Sequence, residues 1–408
     1  MKFTKMSLVT ALLLGSSAFA IENTKVSGDA KLFYDTADKN KNNLFDKGGA
    51  SGQAAASLSI STDLMEGVSA GTKVTALSSL GLEHQLVDNV WEGTNGITDS
   101  YIVNDLWVAA TAGKTTTKIG RMELDTPLVF TEKWSIVENT FEAAVVINQN
   151  IPDTTIVGAY VGGSNGQLVG ATPGIADTST STVGSANVVQ GTKNESTFNQ
   201  FYKGAYAIGA INNSWKPLTA QAWYFGATST TTAYWLEADL DMEGVLLGAQ
   251  YTGIGKINGE KPTKSSDAFA VMAGYEMKDT SIANISKVVT KVSYSQTGKD
   301  AGAGFNLAGS GKSKLYTEAW WNYGEVTQAD TTAYNVTVEA PITDILDLGL
   351  YYTSANHNAE NSAGDLQEIT LSATRTFGSL DTSFVLSSIT RDNLNRYDQI
   401  QVYLTLNY

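Results

Sequence analysis

The 408-residue chain contains no cysteine, six prolines, two histidines and four arginines, and each scarcity closes off a class of protein. Without cysteine no disulfide staples the fold, so stability must come from one large cooperative structure. Two histidines, His84 and His357, both in loop-like stretches, leave no base for a serine nucleophile and no ligand set for zinc. After Ala20 no apolar run reaches 18 residues, so no helix is expected to span a bilayer. Basic charge is also short. Twenty-seven Lys and Arg face 41 Asp and Glu, which leaves no basic stripe for phosphates and argues against a nucleic-acid partner.

Residues 1–20 form the three-part pattern of a secretory signal peptide: Lys2 and Lys5, an apolar core from Leu8 to Leu14, and Ala18-Phe19-Ala20. Removing them leaves 25 basic against 41 acidic residues, a net charge of −16 over residues 21–408, which are read as one domain.

The period that recurs in that domain is two. "TAYWLEADLD" places Tyr234, Leu236, Ala238 and Leu240 on one face, with Trp235, Glu237, Asp239 and Asp241 on the other. "GVLLGAQYT", "AYNVTVEA", "DILDLGLYY" and "QEITLSATRTF" alternate in the same way. Such alternation marks strands with one apolar and one polar face. A soluble sandwich would turn the apolar faces inward, whereas a membrane barrel turns them out to lipid. Closely spaced charge on the polar faces, and apolar faces light in bulk but ending in Tyr, Phe or Trp, favour the barrel.

Tight turns at 64–67, 112–115, 150–153, 214–217, 242–244, 341–344 and 377–381 alternate with longer connections at 36–50, 78–102, 122–140, 162–200, 255–266, 298–330 and 355–364. A first count gives 19 segments, an odd number for a barrel whose ends share one side. Assigning "KLYTEAWWNYG", residues 314–324, to the loop 298–330 restores parity. The expectation is an all-β, transmembrane antiparallel barrel of 18 strands, with 16 as the alternative. The closing "QIQVYLTLNY" should pair with the first strand around Val26–Asp35, because an open edge cannot sit in hydrocarbon.

Three connections invite a closer reading. The Gly/Ser/Thr-rich stretch 162–200 reads as a solvated outer loop. "DKNKNNLFD" sets Asp38, Asn40, Asn42 and Asp46 at calcium-loop spacing, but Asn43 stands where Gly is wanted and Gly49 where a bidentate Glu belongs. An ordinary polar loop is the better reading of 38–46, calcium the weaker one, and no other cofactor is expected. The stretch 118–149 is the most informative. Its strand breaks at Asp125-Thr126-Pro127, and Glu123, Asp125, Glu132, Lys133 and Glu138 alternate with Leu128, Phe130, Trp134 and Ile136. So much hydrophobe in a loop must be packed somewhere, and folding back against the inner wall would narrow the lumen. Opposed charges at such a waist would select ions.

Gly120-Arg121, Leu124-Asp125-Thr126-Pro127 and Asn139-Thr140-Phe141-Glu142 resemble the strand–loop–strand signature of OprD-like outer-membrane porins, and most nearly the epsilonproteobacterial, Campylobacter-type major porins. The resemblance implies an 18-stranded barrel, an inward-folded third loop and passive diffusion of small hydrophilic solutes, often from a homotrimer. It also implies a bacterial outer membrane, with its bilayer and lipopolysaccharide as surroundings. Tyr408 is similar to the terminal aromatic by which the outer-membrane assembly machinery recognises its substrates. The arginine ladder of carboxylate-selective members is absent; only Arg121 could serve as a rung. The candidate constriction is therefore Arg121, Glu123, Asp125, Glu132 and Lys133, with Lys73, Glu237, Asp239, Lys291 and Glu339 as wall charges. Net acidity points to a mild cation preference, and the rival function is a non-conducting barrel that serves as an adhesin or anchor.

Overall fold

A computed structural model of the chain describes residues 22–39, 41–78, 100–133, 136–164, 199–227, 231–255, 265–278, 280, 285–308, 311–342, 345–358, 364–392 and 394–408. The signal-peptide segment, His84 and most of the stretch 162–200 lie outside these residues.

Eighteen strands make one sheet. They are β1 (Glu22–Ala37), β2 (Ala50–Met65), β3 (Val68–Ser78), β4 (Ser100–Ala112), β5 (Thr115–Met122) and β6 (Phe141–Asn148). There follow β7 (Thr154–Ser164), β8 (Asn199–Asn212), β9 (Leu218–Ala227), β10 (Thr231–Met242), β11 (Val245–Ile254) and β12 (Ser266–Lys278). The last third comprises β13 (Lys287–Thr297), β14 (Thr331–Ile342), β15 (Leu346–His357), β16 (Leu366–Phe377), β17 (Leu380–Arg391) and β18 (Leu394–Asn407). Each pairs antiparallel with the next, and β18 pairs with β1 from Asp29↔Asn407 to Ala37↔Gln399, so the sheet closes on itself. The expected 18 strands and the closing pair are both present. Residues 314–324 form no strand.

Alternation sets the two surfaces. Leu236, Leu247, Val271, Val336, Leu350, Ile369 and Leu371 face outward and are exposed, while Glu368, Thr370, Ser372, Asn335 and Gln401 face inward. Tyr206, Tyr224, Tyr251, Tyr275 and Phe377 add rings to the outer face, the arrangement of a barrel bathed in lipid. A sandwich would show the reverse.

All seven expected tight turns join strands at one end. At Gly67, Gly113, Gly244 and Gly378 they use positive φ values (73°, 59°, 93° and 62°), which glycine adopts without Cβ strain. An eighth connection at that end, 279–286, was not anticipated. At the opposite end two connections are short, 228–230 and 392–393, because the adjoining strands run almost into one another. In the first loop the Asp46 carboxylate accepts from the Asn43 backbone and side-chain nitrogens; Asn40 lies outside the described residues.

Candidate functional site

The site is built by two connections that turn into the lumen: the third loop, 123–140, between β5 and β6, and the seventh, 298–330, between β13 and β14.

The third loop opens as a miniature hairpin. Thr126 Oγ1 donates to the Val129 carbonyl at 2.6 Å and accepts the Val129 N–H at 3.1 Å, and the Thr131 N–H reaches the Leu124 carbonyl at 2.7 Å. Pro127 suits such a turn because its fixed φ cannot continue a strand. Leu124, Leu128 and Val129 then pack on an apolar patch of the inner wall made by Ala143, Val145, Val161, Trp223, Phe225 and Trp235. Each large side chain fully buried there stabilises the folded-back loop by roughly 1.5–3 kcal/mol. Further along, Ile136 and Val137 pack against Phe33, Ala55, Leu77 and Ile102 of β1–β4, so the loop touches two arcs of wall. There its Glu138 is bonded to Lys73 and lies 3.6 Å from Lys31.

The seventh loop is tied to the wall almost strand by strand. The Gln250 amide takes the Tyr316 N–H at 3.1 Å and donates to the Lys314 carbonyl at 2.9 Å. Thr317 bonds Ser295 at 2.6 Å. The buried Glu368 carboxylate accepts the N–H groups of Trp321 (2.8 Å) and Asn322 (2.9 Å). The two loops also bond each other. The Leu307 N–H meets the Leu128 carbonyl at 2.8 Å, Asn306 brackets Phe130, and Lys314 pairs with Asp125.

Beside them opens a cavity of about 750 Å³. Its lining brings together Lys133, Glu237, Asp239, Lys291 and Glu339, five of the ten residues expected from sequence, with Lys312, Tyr316, Glu318, Trp320 and Tyr351. Each carboxylate is held by neutral donors. Glu237 accepts from Gln221 (2.7 Å), Trp235 (2.8 Å) and Gln250 (3.0 Å). Asp239 accepts from the Tyr316 hydroxyl at 2.5 Å and Glu339 from the Tyr351 hydroxyl at 3.0 Å. Glu318 takes the N–H groups of Ser313 (2.6 Å), Ala319 (3.1 Å) and Gly324 (2.9 Å). Burial nevertheless pushes the Glu318 carboxyl up to about 7. The Tyr316 phenol is held protonated by its own burial and by the Asp239 carboxylate.

The other expected residues fall elsewhere. Glu123 pairs with Lys133 at 2.6 Å, and Asp125 is 88% exposed with Lys314 as partner. Glu132 is buried between the loops, where Asn306 Nδ2 donates to it at 2.9 Å; it is a tie, not a channel-facing charge. Arg121 requires a larger correction. It shares its strand face with Ile119, which is 59% exposed, and sits opposite Leu106, 62% exposed, and Glu142, to which it is bonded at 3.1 Å. Arg121 therefore lies on the outer wall. Two-residue alternation forces it there whatever motif surrounds it.

Sequence reasoning missed the inward fold of the seventh loop. Its signal was the one already used for the third: Leu315, Tyr316, Ala319, Trp320 and Trp321 are too apolar for an exposed loop.

Solved structures share this architecture. OccK3 (OpdO) of Pseudomonas aeruginosa superposes with a TM-score of 0.68 over 97% of this chain and 99% of its own, at 12% identity. OccAB4 of Acinetobacter baumannii gives 0.69 over 95% and 99%, also at 12% identity. A BenF-like porin from Pseudomonas fluorescens Pf-5 gives 0.67 over 95% and 99%, again at 12%. The fold is a porin fold. No family model matches the sequence, and no curated protein matches it. At such identity the likeness carries the porin barrel and not its contents, so the lining described above is this chain's own.

Proposed function

We propose that the chain is an outer-membrane porin of the OprD-like kind, passing small hydrophilic solutes passively through the lumen with a mild preference for cations. The carrying observation is the cavity at the waist. Glu237, Asp239 and Glu339 line it, and in each the described hydrogen bonds come from amides, an indole or hydroxyls. Neutral donors orient a carboxylate without cancelling its charge, so its field stays available to a passing ion. Of the cavity's three lysines, Lys133 is already paired with Glu123. The path needs no chemical step and no cofactor.

The same reading places the long-loop end outside the cell and the tight turns in the periplasm, with lipopolysaccharide against the outer leaflet. It also includes export by the 1–20 segment, recognition of Tyr408 by the assembly machinery, a homotrimeric state and kinship with the Campylobacter-type porins. Single-channel recording in planar bilayers, with reversal potentials in a salt gradient, tests it. Open-channel steps with a modest cation-selective potential are expected. Folded protein that yields no steps would leave the non-conducting adhesin or anchor, and a clear anion preference would overturn the selectivity.

A further inference from the structure

His357 closes β15 at the long-loop end, and its ring is fully buried. Its Nδ1 lies 3.0 Å from the Gly364 carbonyl, in the connection to β16. Its Nε2 lies 3.1 Å from the Glu325 carbonyl of the seventh loop and 3.5 Å from the Glu325 carboxylate. Backbone carbonyls only accept hydrogen bonds. A neutral imidazole carries one N–H, so either tautomer would set a lone pair against one of these oxygens. Only the imidazolium serves both.

The surrounding charges fit that form. The Glu325 carboxylate faces the ring and also takes the Arg391 guanidinium of β17, at 2.6 and 3.3 Å, so one anion is shared between two cations. The Asp365 carboxylate, beside Gly364, accepts the His357 backbone N–H at 2.8 Å. Asp392 in turn accepts the Asp365 N–H at 3.3 Å, and the Asp330 carbonyl takes the Asn358 N–H at 3.0 Å. Glu325 begins a single 3-10 turn three residues after Asn322, which Glu368 fixes to the wall beside the cavity. What holds Glu325 therefore holds the end of the segment that lines the waist.

We propose that His357 is a proton-operated latch for the seventh loop. As imidazolium it fastens the loop to the 364–365 segment and the wall, and when it loses a proton one of the two carbonyl bonds is lost. The lost bond is a charge-assisted one, and breaking it should make loop excursions roughly tenfold or more as frequent.

The test uses the whole folded protein. In detergent micelles, ring 15N spectra of His84→Gln protein report on His357 alone. Both ring nitrogens should be protonated at pH 5.5, and a single neutral tautomer there would overturn the latch. Hydrogen exchange over 311–328, corrected for its intrinsic pH dependence and measured in a Glu318→Gln background that removes that carboxyl's own pH response, should rise between pH 5.5 and 8.0 with His357 intact and stay flat with His357→Gln added, with barrel folding confirmed by heat-modifiable migration. Equal pH responses in the two proteins would overturn the proposal. Current noise in bilayers should follow the same pattern. A protein that conducts nothing would sink the porin reading, while the spectra and exchange would still decide the latch.

Discussion

The side-chain amide of Asn306 grips the backbone of Phe130 on both sides, donating to its carbonyl at 2.9 Å and accepting its N–H at 3.3 Å. The residues are 176 positions apart, and the amide acts as a short piece of strand between the two inward loops. The same Nδ2 also reaches Glu132. Asn306→Ala would leave these buried groups without their partner, at about 1–3 kcal/mol for each one left unsatisfied. The loops should part, raising single-channel conductance and current noise while the barrel's melting temperature moves little. Unchanged conductance would show that the loops hold together by other means.

The cavity acids should set selectivity. Replacing Glu237, Asp239 and Glu339 with their amides keeps shape and one acceptor oxygen at each site but removes three charges. A unit charge about 4 Å from a permeating ion in water is worth roughly 1 kcal/mol, about a fivefold effect at most for each site. The reversal potential should fall toward zero or change sign, most clearly at low salt where screening is weak. A potential that stays put would move the selectivity filter out of this cavity.

Arg121 offers the opposite case. Its side chain lies on the outer wall with Glu142, so Arg121→Ala should leave reversal potential and conductance at wild-type values. Loss of the cross-strand pair should lower stability by under about 1 kcal/mol, as is usual for an exposed ion pair. A shift in selectivity on this substitution would restore Arg121 to the lumen.

These cases show where sequence was sufficient. Glu237 and Asp239 line the cavity because Tyr234 and Leu236 declare the outward face, and a strand leaves only one other. The same rule, applied through Ile119, puts Arg121 outside; the motif around it pointed the other way, and local geometry prevailed. Glu132 could not be placed from its neighbours, because its environment is fixed by Asn306, 174 residues away. The closure strand and its partner were legible, since an open edge has no stable alternative in a membrane, but the pairing runs over Asp29–Ala37, two or three residues beyond the expected Val26–Asp35. The seventh loop was read only far enough to remove it from the strand count. Where its side chains go depends on wall partners such as Gln250 and Glu368, contributed by strands distant in the chain.

The Glu318 carboxyl makes the waist itself sensitive to pH. Burial holds it up to about 7, above an ordinary value of 4.5, even though three backbone N–H groups favour the anion. The folded loop thus binds a proton more tightly than the unfolded chain. The sign follows from linkage: Glu318 favours the folded loop fully below about pH 4.5, and that contribution is lost as pH rises toward 7. Over the same interval the cavity gains a negative charge. Cation permeability relative to anion should therefore climb between pH 5 and pH 8, and Glu318→Gln should flatten the climb. Because Glu318→Gln leaves His357 in place, any pH-dependent noise that survives belongs to the latch, and any pH-dependent selectivity that survives belongs to another carboxylate. If wild type and Glu318→Gln gave identical reversal potentials across this range, Glu318 would be an anchor of the loop and no part of the field that ions meet.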